Sequence, residues 1–148
     1  AQQIYKVLQY TQAQPSWLKF EITENLLIAD TQPVLETLAQ LRQSGVEISI
    51  DDFGTGYSSL SYLKQLPVDT LKIDRAFIKD MKSDDDNLKI VEAIVQLAQA
   101  LKLEVVAEGI ETEWQAQQLV NLGCTYGQGY WFSPPLDSKT AWDLLNQL

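Results

Sequence analysis

The chain has no histidine and only one cysteine, Cys124, among its 148 residues. Without histidine there can be no Ser-His or Cys-His nucleophile, no ordinary zinc site and no imidazole acid–base catalysis. A lone cysteine excludes an intrachain disulfide and a cysteine-rich metal centre. Any chemistry must therefore run on carboxylates, lysine, amides and oxygen-bound metal ions. Basic residues are also scarce, with 11 Lys and Arg against 20 Asp and Glu and a net charge of −9. That balance argues against a basic face for long nucleic acid. A small anionic ligand stays compatible, provided metal ions or a buried lysine reverse the sign locally. No apolar run could span a bilayer and no charged-then-apolar leader is present, so the expectation is no membrane segment and a cytoplasmic location. What is there, 45% hydrophobic and 21% charged, fits one globular unit with its own core. The opening Ala1-Gln2-Gln3-Ile4-Tyr5 reads as the interior of a helix, as though the chain were entered partway.

No linker or composition shift divides the sequence, and strand-like segments alternate with helical ones throughout. Strands are expected at residues 18–23, 46–52, 70–74, 104–108 and 126–132. Between the first two, Asp30 or Thr31 can cap a helix striped by Val34, Leu35, Leu38 and Leu41 and closed by Gly45. A short helix ending at Pro67 follows the second strand. After the acidic turn Asp84-Asp85-Asp86, Leu88, Val91, Val95, Ala98 and Leu101 form an amphipathic helix. A further helix covers 113–122 with Gly123 at its end, and Ser138 is expected to cap the last one. Strand–helix–strand alternation with short connections means parallel strands, either in a (β/α) barrel or in an open doubly wound sheet. Parity favours the barrel. Val46, Ile48 and Ile50 share one face, and Glu47, Ser49 and Asp51 the other. Strands buried on both sides would be apolar throughout. A half-exposed sheet with its polar face in water is the plainer alternative.

Polar residues sit at the C-terminal ends of these strands: Glu21 and Glu24, Asp51 and Asp52, Lys72 and Asp74, Glu108, with Gln128 in the fifth. Barrels and open α/β sheets both build their sites at that end. One acidic strand end would be unremarkable, and an Asp-Asp pair alone is more often a solvated turn. Recurrence over consecutive strands is harder to assign to chance. Converging carboxylates repel one another unless cations lie between them. An all-oxygen donor set selects Mg²⁺ or Mn²⁺, with Ca²⁺ as an inhibitory competitor. Two such ions, roughly 3.5–4 Å apart, suit a phosphodiester, and Asp51 and Asp52 can each face one.

The segments Phe20-Glu21-Ile22-Thr23-Glu24-Asn25, Asp51-Asp52-Phe53-Gly54-Thr55-Gly56-Tyr57-Ser58-Ser59-Leu60, Leu71-Lys72-Ile73-Asp74-Arg75, Ala107-Glu108-Gly109-Ile110-Glu111 and Gly127-Gln128-Gly129-Tyr130 carry a resemblance. In this order they closely resemble the EAL family, phosphodiesterases that open cyclic-di-GMP to linear pGpG. The resemblance implies a TIM-barrel-like EAL fold and a role for each matching residue. Glu21, Asp51 and Asp52 match metal ligands, and Asp74 a carboxylate beside the second ion. Lys72 matches the lysine that contacts the metal-activated water or the phosphate. Glu108 matches the carboxylate proposed as general base or metal ligand. Glu111 and Gln128 match site-lining residues, and Glu24 the glutamate that anchors the 52–59 loop. For Glu24 and Glu111 a structural role stands beside the chemical one.

The departures matter too. The Glu-Ala-Leu motif and a later asparagine ligand, both expected of the family, are not in this sequence, and residues 1–10 resemble the helix that follows the asparagine strand. Pro134 stands where Lys or Arg is frequent. A barrel of this kind needs about 250 residues. The expectation is therefore the C-terminal part of one EAL domain, spanning 1–148. It would be an incomplete barrel of about five parallel strands with covering helices, inactive by itself and prone to homodimerise or self-associate. The parent would carry upstream sensory domains and bind cyclic-di-GMP. Two other functions stay open: a dinucleotide receptor without catalysis, and a bare folding fragment.

Overall fold

A computed structural model describes residues 2–24, 31–56, 60–82 and 86–146. Ala1, Asn25, Asp30, Tyr57, Ser58, Ser59, Asp84 and Asp85, named in the sequence reading, lie outside these described residues. Five strands, β1 Lys19–Thr23, β2 Glu47–Phe53, β3 Thr70–Ile73, β4 Glu104–Glu108 and β5 Tyr126–Gln128, pair in parallel in the order β1-β2-β3-β4-β5. Around them run α1 Gln2–Thr11, α2 Thr31–Gln43, α3 Leu60–Leu63, α4 Arg75–Lys79, α5 Asp86–Ala100, α6 Glu113–Leu122 and α7 Ser138–Leu145, with a 3₁₀ turn at Pro15–Trp17.

The strand order decides between the two candidate architectures. Right-handed crossovers that always step the same way deliver every helix to one face. A doubly wound sheet instead reverses direction at a switch point. Here nothing reverses, so the sheet is an arc of a TIM-like barrel, left open with β1 and β5 as its edges.

Register divides the two faces cleanly. Parallel partners point the same way, so the pairings Ile22↔Ile50, Ile50↔Leu71 and Leu71↔Val105 lay an aliphatic row on the outer face. Ile48, Ile50, Leu71, Ile73, Val105 and Ala107 pack there with Leu38 and Leu41 of α2, Val91, Val95 and Ala98 of α5, and Leu119 of α6 in one cluster. The inner face carries Glu21, Ser49, Thr70 and Glu104 in register. Ser49 and Thr70 are fully buried on that side.

Local chemistry explains the element ends. Thr112 caps α6 in a capping box with Gln115, and Gly123 closes the helix at φ 84°. The last helix starts differently from expectation. Asp137, not Ser138, is its cap, with Oδ1 accepting from the amides of Lys139 and Thr140 at 3.0 Å each. A carboxylate can take two amides at once, and those bonds hold the Asp137 carboxyl below its usual value. The fifth strand stops at Gln128 instead of running to Phe132. Beyond it the chain folds over Ile110, whose carbonyl accepts from the Trp131 amide at 2.9 Å. The short helix α4 was not foreseen. It begins because Asp74 caps it, Oδ1 accepting from the Ala76 amide at 2.7 Å.

Candidate metal centre and cleft

Lys72 lies in the middle of β3, and its inward side chain is only 9% exposed. Its Nζ is 2.7 Å from Glu21 Oε1, 2.9 Å from Asp51 Oδ1 and 2.8 Å from Glu108 Oε1. One cation on the central strand thus joins carboxylates from β1, β2 and β4. Burial acts to lower the pKa of such a lysine. Its bonds to Glu108, Glu21 and Asp51 outweigh that effect and hold the ammonium well above its ordinary value. Lys72 stays charged.

Asp51 and Asp52 both reach this mouth because β2 carries a bulge. Ile50 pairs with Leu71 and Phe53 with Ile73, so two residues of β2 stand opposite the single Lys72. Strict alternation would send Asp52 to the outer face. The extra residue, with Asp52 at φ 54°, restores Phe53 to the core and leaves both aspartates at the inner end. The Asp52 carboxyl is held above its usual range, first by a hydrogen bond shared with Asp74, then by burial and the charges of Asp51, Asp74 and Glu108.

The donor chemistry fits a hard cation. Asp51, Asp52 and Glu108 each offer an oxygen, all within 4.8 Å of one another. Asp51 Oδ1 stands at ion-pair distance from Lys72, yet it is buried and lacks a hydrogen bond of good direction. Glu21 and Asp74, also expected as ligands, fall outside that triplet. Glu21 is tied to Lys72, and Asp74 is divided between the α4 cap and Asp52.

A cleft of about 990 Å³ opens beside the carboxylates, lined among others by Asp52, Asp74, Glu108, Glu111 and Gln128. Pro134 is on its wall, together with Arg75, Thr55 and Tyr130, to which sequence reading gave no role. Arg75 brings a cationic side chain to this lining, and its place directly after Asp74 in the motif was the available signal. Glu24 is outside this lining and buried, 3% exposed, and its Oε2 accepts from the amides of Gly54 and Gly56 at 3.0 Å each. A Cβ on Gly56 would come within 2.9 Å of the Glu24 carboxyl carbon, so this approach needs glycine.

Comparison with known proteins agrees with the geometry. A family model for the EAL domain matches residues 1–135. The bifunctional diguanylate cyclase/cyclic di-GMP phosphodiesterase MucR of Pseudomonas aeruginosa is 50% identical over 126 residues, which are 85% of this chain and 18% of that protein. The cyclic di-GMP phosphodiesterase NbdA of the same organism is 48% identical over 120 residues, 81% of this chain and 15% of its own length. The solved MucR phosphodiesterase in complex with c-di-GMP superposes with a TM-score of 0.89 at 46% identity, covering 93% of this chain and 56% of that one. Klebsiella pneumoniae BlrP1, solved with manganese and cyclic-di-GMP, superposes at 0.80 with 32% identity over 89% of this chain and 34% of its own. The chain thus spans less than a fifth of these two curated relatives. It belongs to the EAL domain family.

Proposed function

We propose that this chain is the C-terminal part of one EAL phosphodiesterase domain, whose parent hydrolyses cyclic-di-GMP to linear pGpG with two divalent cations, Mg²⁺ or Mn²⁺. The observation that carries the reading is the convergence of Glu21, Asp51 and Glu108 on Lys72, with Asp52 and Asp74 alongside. Glu21, Asp51, Asp52 and Asp74 would hold the ions. When bound, these supply Lewis-acid polarisation of the phosphodiester and lower the pKa of a water. Lys72 keeps the carboxylates facing one another and is the candidate contact for the attacking water or the phosphate. Glu108, at the cleft wall, accepts the proton of the attacking water as its oxygen adds to phosphorus and one ester oxygen leaves. Glu111 and Gln128 line the dinucleotide's path, and Glu24 anchors the glycine loop. Ca²⁺ competes for the same oxygens with looser geometry and inhibits.

By itself the chain should be inactive. It lacks the Glu-Ala-Leu glutamate and the asparagine ligand. Its β5 edge and the exposed Tyr126, Tyr130, Trp131 and Trp142 favour self-association, a homodimer in the simplest case. Upstream sensory domains in the parent and a cytoplasmic location belong to the same proposal. Among the described residues no helix is long and apolar enough to cross a membrane. The test is pGpG formation by the parent and by this chain, each with Mg²⁺ and with Mn²⁺, alongside parent Glu108→Gln. Expected are turnover by the parent, none by the chain, and a loss of orders of magnitude in the variant with cyclic-di-GMP binding retained. Wild-type turnover in Glu108→Gln would remove Glu108 from the mechanism.

A further inference from the structure

The turn of residues 109–112, between β4 and α6, is held from two sides. On one side Ile110 donates its amide to the Gln128 carbonyl at 3.1 Å and accepts from the Trp131 amide at 2.9 Å. On the other side Gly109 lies against Arg75, so closely that a Cβ there would come within 2.6 Å of the Arg75 Cβ. One more side chain closes this second side. Gln115, 5% exposed, directs Oε1 to the amides of Glu111 at 2.8 Å and Thr112 at 3.0 Å. Its Nε2 donates to the carbonyl of Ile78 in α4 at 2.9 Å, in a fully buried bond spanning 37 residues.

We infer that Gln115 is a positioning residue for the metal centre, a strut that fixes the Glu108 side of the site to the Asp74 side. Glu108 enters the turn and Glu111 lies within it. Asp74 caps the helix whose far end holds Ile78. Both oxygen lone pairs of the amide and one of its two N–H groups are used, so the side chain has essentially one orientation. Helix capping alone requires only Oε1, which a glutamate supplies equally well. The link to α4 requires the N–H. Gln115→Glu therefore separates the two roles, because it keeps the cap and sets a carboxylate oxygen against the Ile78 carbonyl.

This inference rests on the metal-site reading above, and its test has two readouts. Hydrogen exchange followed by peptide and Mn²⁺ titration are run on wild type, Gln115→Glu, Gln115→Met and Asp52→Asn. Gln115→Glu is expected to keep protection across α6, to exchange faster at residues 109–112 and 76–81, and to bind Mn²⁺ about tenfold more weakly, as expected for loss of a group that orients a metal ligand. Gln115→Met has similar volume and no buried charge, and covers the case in which the glutamate does not fold. It should show the same faster exchange in the turn and the same weakening. Where Asp52→Asn weakens Mn²⁺ binding, unchanged Mn²⁺ affinity in both Gln115 variants overturns the inference, and so does unchanged exchange in the turn. If wild type and Asp52→Asn bind Mn²⁺ equally weakly, the metal reading fails, and the exchange data still decide whether Gln115 ties the turn to α4.

Discussion

Replacing Lys72 with methionine keeps the apolar stem and removes the one charge shared by Glu21, Asp51 and Glu108. Oxygens of Asp51 and Glu108 lie within 4.8 Å of each other. Two unit charges at that separation repel by about 3.5 kcal/mol at an effective dielectric near 20. The side chains of Asp51 and Glu108 are 23% and 19% exposed, so water screens only part of this, while Glu21 at 48% can turn away. Breaking a buried ion pair by removing one partner costs about 3–5 kcal/mol. The two routes agree on roughly 3 kcal/mol, which for a domain of this size lowers Tm by about 6–12 °C.

The pH dependence identifies the cause. Without Lys72 the ionised carboxylates face one another with no cation between them, so the penalty is present at neutral pH. It is relieved as pH falls through the carboxylate range and protons replace the missing cation. In wild type the Lys72 pKa is itself raised. Its contribution is therefore whole below the ordinary lysine value of about 10.4 and is lost only as pH climbs through the higher folded value. Thermal melts in chelator between pH 4 and 9 measure the difference. Equal Tm at pH 7, or a deficit that does not shrink on acidification, would refute the reasoning and reduce Lys72 to a packing residue.

Asp52→Asn should raise Tm in chelator at neutral pH, because a raised folded pKa means a penalty present above the carboxylate range and relieved by acid or amide. Both Asp52→Asn and Asp51→Asn should raise the Mg²⁺ or Mn²⁺ concentration the parent needs for activity, and unchanged titrations in both would make the pair structural. Gly129→Ala places a Cβ within 2.7 Å of the Ile110 carbonyl carbon. Urea unfolding should show a loss of about 1–3 kcal/mol, as for other overpacked sites, and an unaltered midpoint would mean that the turn yields freely.

How much of this was legible in sequence depended on how local the cause was. The bounds of β4 and α6 matched expectation to the residue, because the apolar run 105–107 between two glutamates and Gly123 at the helix end are signals contained in the local sequence. The end of β5 was overestimated. Aromatic residues 130–132 have strand character, but the bonds that turn the chain run to Ile110, and no window of the sequence contains both partners. Ser138 was expected as the last cap, but Asp137 just before it is an equally good cap type, and only the backbone decides between them. At the site, parity put Lys72 on the inner face. It could not say that the lysine would meet Glu21, Asp51 and Glu108 while Asp74 turned to cap α4.

Asp52 brings these threads together. A non-glycine residue at φ 54° costs on the order of 1 kcal/mol, and the bulge forfeits regular pairing with β3. Its carboxyl is also crowded by three others, Asp51, Asp74 and Glu108. None of this serves the fold. An apolar residue alternating outward, without the bulge, would extend the aliphatic row that Ile48 and Ile50 begin. Backbone geometry and electrostatics therefore both work against stability at one residue, and both do so by bringing a second aspartate to the mouth. When independent local rules fail together at one position in an otherwise consistent sequence, the gain lies outside folding. Here it lies in a cluster of oxygens that a divalent cation would stabilise.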